Sequence, residues 1–111
     1  MNETSDVLPA VWAGIEIKWT PDWAPEPAAI KTATRLLGAI DGKMPKPASA
    51  ARGYWPNVLF AWSTREVEVE VFASHCELYL FKDGNLAATD IPSFKATRVG
   101  IAPLLEAFGV R

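Results

Sequence analysis

The stretch that decides the fold is residues 58–84, VLFAWSTREVEVEVFASHCELYLFKDG. Its middle alternates strictly between glutamate and valine: Glu66, Val67, Glu68, Val69, Glu70 and Val71. Successive side chains of a strand point to opposite faces, so one face of this strand is all valine and the other all glutamate. The stretch therefore predicts consecutive antiparallel strands that bury the valine face and leave the glutamate face in water.

Two helices are predicted to cover the valine face. The first spans about 27–41, where apolar residues recur at helical spacing: Ile30, Ala33, Leu37 and Ile40. Pro27 suits its first turn, and Asp41-Gly42 ends it. The second is short, about 101–108, with Pro103 near its start and Gly109 after its last apolar residue.

The remaining elements follow from alternation and turn residues. Alternating apolar and charged residues within 13–19, AGIEIKW, predict a first strand, and four more are expected at about 58–62, 66–72, 76–81 and 85–90. We interpret 43–56, KMPKPASAARGYWP, as a basic connector. The predicted order is β-α-β-β-β-β-α: a single α+β domain over 1–111 with an antiparallel sheet of four to five strands and loose residues 1–9.

Composition limits the class of protein. Half of the 111 residues are apolar and 22% are charged, which is the balance of an ordinary globular domain. A single cysteine excludes an internal disulfide framework, and no apolar run is long enough to span a bilayer. The first residues, MNETSDVLPA, lack the basic and apolar parts of a secretory signal. We therefore expect a cytoplasmic protein, without membrane contact.

The charge distribution argues against a nucleic-acid partner. The net charge is −2, with acidic residues dominating 1–30 and basic residues dominating 31–52. Blocks of opposite sign suggest compensation within the domain or a bipolar surface. They do not form the positive stripe expected of a dedicated nucleic-acid-binding protein.

His75-Cys76 is the one pair in the sequence that resembles a nucleophile with its base. Adjacent residues of a strand point to opposite faces, so contact between these two side chains would need a distorted turn. The chain has no second histidine, and zinc usually takes three or four ligands. We therefore expect a turn histidine and a buried thiol, no catalytic residues, no metal and no cofactor.

The strongest patterned charge is the acidic row, which we define as Glu66, Glu68, Glu70 and, on the next strand, Glu77. Carboxylates at this spacing suit a protein partner with a basic surface. The alternative is that they are the solvated face of a sheet. A general acid–base pair is disfavoured, because such a pair needs unequal environments and a uniformly exposed row offers none.

Five tryptophans are available for the core or for an interface. Trp19 and Trp62 lie in strand patterns and are expected in the core. Trp12, Trp23 and Trp55 lie in loops, where each is either a lid over the core or an interface anchor. We expect Trp23 or Trp55 to lie at the margin of the acidic row and to take part in partner binding.

Several segments between residues 27 and 82 carry a resemblance: PAAIKTATRLL, MPKP, NVLFAW, EVEVEV and ELYLF. Together they resemble small uncharacterised bacterial and prophage open reading frames, which have a helix, a P-x-P connector, a strand ending in tryptophan and an alternating strand pair. The chain departs from them in lacking the usual glycine pair before the first sheet strand. The resemblance implies a prokaryotic or phage origin, and hence the cytoplasm of a bacterial host. The genes of such reading frames often lie beside defence or toxin–antitoxin loci.

Three functions remain open at this point. The leading expectation is a small non-enzymatic protein-binding module, an anti-CRISPR-like inhibitor that a phage or mobile element directs at a bacterial protein machine. The second is a homodimeric accessory or antitoxin-like protein of a bacterial locus. The third is a small enzyme that uses His75, Cys76 or a glutamate.

Overall fold

Three strands that follow one another in the chain form the centre of the computed structural model, which describes residues 8–62, 66–83, 85–86 and 91–110. These three strands are β3, β4 and β5. In chain order, the strands and α-helices of the described residues are β1 (Glu16–Ile17), α1 (Pro27–Ile40), β2 (Ser49–Arg52), β3 (Val58–Trp62), β4 (Val67–Val71), β5 (Cys76–Lys82), β6 (Asn85–Leu86), β7 (Ser93–Phe94) and α2 (Ala102–Ala107). Short 3-10 turns at Ala10–Trp12 and Pro21–Trp23 precede α1.

The central register places apolar residues opposite one another on the face toward α1. Val69 of β4 pairs with Phe60 of β3 and with Leu78 of β5. The same face is buried along all three strands, through Val58, Phe60, Trp62, Val67, Val69, Val71, Cys76 and Leu78. Apolar side chains paired directly across strands are the basic unit of sheet stability, so this face is the floor of the core.

The sheet extends from the central strands in both directions. On one side β2 pairs antiparallel with β3, and β1 pairs parallel with β2. On the other side, the outer edge of β5 pairs with β7 at one end and with β6 at the other. A parallel pair needs a long crossover between its strands, and here the crossover from β1 to β2 carries α1.

Helix α1 covers the sheet with a face of small and branched residues: Ala29, Thr32, Ala33, Leu36, Leu37, Ala39 and Ile40 are buried. The Thr32 hydroxyl donates a 2.6 Å hydrogen bond to the Ala73 carbonyl, which ties the helix to the turn between β4 and β5. Lys31 and Arg35 are exposed on the opposite side. Within the described residues, no helix is both long enough and apolar enough to cross a bilayer.

A line of aromatic rings runs through the core. The ring centres of Trp12 and Phe60 are 5.4 Å apart, those of Phe60 and Trp62 are 6.2 Å apart, and those of Trp62 and Phe108 are 5.5 Å apart. The Trp12 indole also donates a 2.9 Å hydrogen bond to the Thr34 hydroxyl on α1. Trp62 is a core residue as predicted, and Trp12 is a buried part of the core rather than an interface anchor.

The α+β class and both helices are confirmed, but within the described residues the sheet has seven strands rather than four to five. The predicted connector 43–56 contains β2, and the first strand is shorter than 13–19. Of the predicted strand at 85–90, β6 is present and 87–90 lie outside the described residues. Strand β7 was not predicted. β2 and β7 are short and lack β-branched residues, so neither has the pattern that identifies a strand.

We expect Val69→Asp to unfold the domain. Val69 is fully buried between Phe60 and Leu78, and an unpaired charge placed there should lower the free energy of unfolding by more than about 4 kcal/mol. Lys82→Asp, at the exposed end of β5, is the matched control and should change it little. Chemical denaturation followed by circular dichroism measures both, and a cooperatively folding Val69→Asp variant would contradict the assignment of the faces.

Candidate functional site

The face of the sheet away from α1 gathers the polar side chains of β4 and β5. The register places Glu70 directly opposite Glu77, and Glu68 directly opposite Tyr79. These positions alternate with the buried valines and leucine, so the core register alone sets which polar residues meet. Two like charges directly opposite each other on neighbouring strands are destabilising unless something relieves the repulsion.

The Tyr79 hydroxyl lies between the two opposed carboxylates. Its oxygen is 2.9 Å from Glu70 Oε1 and 3.0 Å from Glu77 Oε1. Burial, then the hydrogen bonds to these two carboxylates, raise the pKa of Tyr79 well above its ordinary value. The phenol therefore stays protonated and donates to the carboxylates, which brings Glu70 and Glu77 together around one proton.

Glu70 is also held from the other side by Asn57, the buried residue that precedes β3. Asn57 Nδ2 donates a 2.8 Å hydrogen bond to Glu70 Oε2. Asn57 Oδ1 has no hydrogen-bond partner among the described residues. It lies against Gly53, where a Cβ atom would collide with it and would come 3.2 Å from Glu70 Oε2. Asn57 and Gly53 thus fix the β2–β3 loop beside Glu70.

His75 and Cys76 point to different environments. The His75 ring stacks on Phe72, with ring centres 4.7 Å apart, and its Nε2 is 3.4 Å from Glu77 Oε2. Cys76 is fully buried on the core face, where it pairs with Val71, and burial raises the pKa of its thiol to about 12. The burial predicted for the thiol is confirmed, and the imidazole contacts a carboxylate rather than the sulfur.

Large aromatic side chains are exposed on two neighbouring loops. We define the aromatic patch as Trp23, Tyr54 and Trp55, which are 64%, 85% and 60% exposed. The Arg52 guanidinium lies 3.9 Å from the centre of the Trp23 ring, and the rings of Tyr54 and Trp55 meet edge to face at 5.0 Å. A backbone hydrogen bond of 2.8 Å from Glu26 to Pro56 joins the two loops.

The acidic row differs from the uniform, exposed row that the sequence predicts. Glu66 occupies an exposed turn with φ of +51°, whereas Glu68, Glu70 and Glu77 are half-buried. Burial raises the pKa of Glu68. Tyr79 contacts two of the four carboxylates, so the four glutamates have unequal environments. The argument made from the sequence against an acid–base pair, which assumed uniform exposure, therefore does not apply.

The two predicted tryptophans are connected to the structure by different contacts. Trp55 belongs to the loop that Gly53 fixes beside Glu70. Trp23 contacts Arg52, which shares the α1-facing side of β2 with Ala50. Sequence reasoning missed Tyr54, Asn57 and Tyr79. Of these, Tyr79 had a usable signal, because it follows Glu77 by two residues and therefore shares its face.

We expect Gly53→Ala to destabilise the domain by about 1–3 kcal/mol, because its methyl group must displace the Asn57 side chain from Glu70. Gly38→Ala is the matched control. Gly38 lies inside α1 with nothing within 4 Å of a new Cβ, so that variant should gain about 0.5–1 kcal/mol. Denaturant midpoints measure both, and equal shifts in the same direction would contradict the role given to Gly53.

We also expect the Cys76 thiol to resist modification in the folded protein. The thiolate is the reactive form, and a pKa raised to about 12 leaves little of it at pH 8. A thiol-specific chromogenic reagent at pH 8 should react at least about 100-fold more slowly with native protein than with protein in denaturant. Comparable rates would show that the thiol is accessible and ionised.

Comparison of the chain with protein-family models, with curated proteins and with solved structures gave no match in any of the three. The resemblance to small bacterial and prophage reading frames stays a prediction. The function is therefore inferred from the polar face and the aromatic patch themselves.

Proposed function

We propose that this protein is a small protein-binding module whose contact surface joins the aromatic patch to the acidic row. The observation that carries the proposal is the exposure of Trp23, Tyr54 and Trp55 on two loops that a backbone hydrogen bond joins, one of which lies beside Glu70. Exposed apolar patches on soluble domains mark interaction sites, and tryptophan and tyrosine are enriched among the residues that dominate binding energy.

The local contacts favour a patch that is organised before binding. The guanidinium of Arg52 over the Trp23 ring restricts that side chain, and Gly53 and Asn57 restrict the loop that carries Tyr54 and Trp55. Ordering side chains at an interface costs free energy on association. Side chains that are already held lose less, so the same contacts give a higher affinity.

The acidic row supports a partner with a basic surface. Glu70 is occupied by Asn57 and Tyr79, and Glu77 by Tyr79 and His75, which leaves Glu66 and Glu68 as the carboxylates most open to an incoming chain. Complementary charge raises the association rate and selects among partners. Its effect on exposed groups should weaken as salt rises, because screening acts over about 8 Å at physiological ionic strength.

Within this proposal the module acts by binding and not by catalysis. Cys76 is buried away from His75, which leaves the pair without the contact that a nucleophile and its base require. The resemblance to prophage reading frames supports an inhibitor carried by a phage or mobile element, directed at a bacterial protein machine as anti-CRISPR proteins are. A cytoplasmic site of action goes with that role.

An arginine-rich peptide tests the chemistry of the surface. We expect it to bind wild type and to shift the backbone amide resonances of β4, β5 and the 53–56 loop. Trp55→Ala should weaken binding at least about tenfold, and the triple change of Glu66, Glu68 and Glu77 to glutamine should do the same while removing most of the salt dependence. Glu70 is left intact in that variant because it holds the loop.

Two controls separate surface effects from folding. Val99→Ala removes an apolar side chain that is 86% exposed outside the patch, and Glu106→Gln removes an exposed charge on α2. Both should bind as wild type does. If the tryptophan and glutamine variants also bind the peptide with unchanged affinity and salt dependence, the acidic row is a solvated sheet face and the proposal is wrong.

A further inference from the structure

Strand β1 lies at the end of the sheet with one side unpaired among the described residues. The amides of Glu16 and Lys18 donate to Ala48 and Ala50 at 3.1 and 2.8 Å, toward β2. Backbone groups alternate in direction along a strand, so the N–H and C=O of Ile17 point away from β2. Such an edge is a template for pairing with another chain.

Several of the side chains beside this edge are apolar. Ile17 is 36% exposed, and with Trp19 and Ile30 it lines a groove of about 1000 Å³ between β1, the proline-containing segment 21–27 and α1. The alternating sequence Ile15-Glu16-Ile17-Lys18-Trp19 is longer than the two residues that pair with β2. Within it Ile15 is buried and its amide donates to Trp12, so Ile17 supplies the free backbone groups of this edge.

The charges of β1 are complementary to a second copy of themselves. When two β1 strands lie antiparallel with Ile17 opposite Ile17, each Glu16 faces a Lys18 and each Ile15 faces a Trp19. Centring the pair on residue 16 or on residue 18 instead sets glutamate against glutamate or lysine against lysine. Opposite charges stabilise such cross-strand pairs and like charges destabilise them, so the register centred on Ile17 is selected.

We propose that two copies of this chain associate through β1, antiparallel and centred on Ile17. The Ile17 residues exchange both backbone hydrogen bonds across a twofold axis, which gives an isologous interface and a sheet that continues from one protomer into the next. Both copies of α1 then lie on one side of that sheet. The acidic row projects from the other side of the sheet, so this association does not depend on binding at that row.

Charge exchange at residues 16 and 18 tests the interface. Sedimentation equilibrium should show a concentration-dependent dimer for wild type. Glu16→Lys should weaken it at least about tenfold, and Lys18→Glu should do the same, because each sets like charges opposite each other twice per dimer. An equimolar mixture of these two variants should restore the dimer as a mixed pair, and the double variant Glu16→Lys/Lys18→Glu should restore it alone.

Glu106→Lys, an exposed charge reversal on α2, is the matched control and should dimerise as wild type does. Circular dichroism melting curves check that each variant is folded. A wild-type protein that stays monomeric at every concentration reached would overturn the proposal. So would a dimer that the single charge changes do not weaken, or one that the mixture of the two variants fails to restore, since either result places the interface elsewhere.

Discussion

The whole structure depends on one constraint, the two-residue period of the three central strands. Val69 lies between Phe60 and Leu78 beneath α1, and a slip of one residue in either pairing would turn glutamates into the core. The register is therefore strongly specified. The same register sets Glu70 against Glu77 on the outer face. Burial of the core face therefore also determines which polar side chains meet on the outer face, where the Tyr79 hydroxyl contacts both carboxylates.

Where side-chain periodicity is strong, the sequence predicts the structure well. Helix α1 and strands β3 to β5 carry clear patterns over five or more residues, and they form where expected. Strand β2, with the sequence SAAR, is held by pairing with β3 and β1 and has no intrinsic preference that marks it. The acidic row was visible in the sequence, but the contacts of Glu70 with Asn57 and Gly53 join distant segments and follow from tertiary packing.

Glu70 and Glu77, the two carboxylates at the centre of the polar face, make different contacts. Glu70 gives one oxygen to Tyr79 and the other to Asn57, and so connects the sheet to the loop that carries the exposed aromatic residues. Glu77 contacts Tyr79 and approaches His75 from the outer side. Glu70 therefore contributes both to the stability of the fold and to the arrangement of the polar surface.

The parallel pairing of β1 with β2 also bears on the order in which the chain folds. Strands β3 to β5 are neighbours in sequence and close through short turns, so their contacts form with little loss of chain entropy. β1 reaches β2 across the crossover that contains α1, so that pairing closes a longer segment of chain and loses more chain entropy. We expect β1 to dock after the central strands have paired, so that the free sheet edge is presented by protein whose central sheet has already formed.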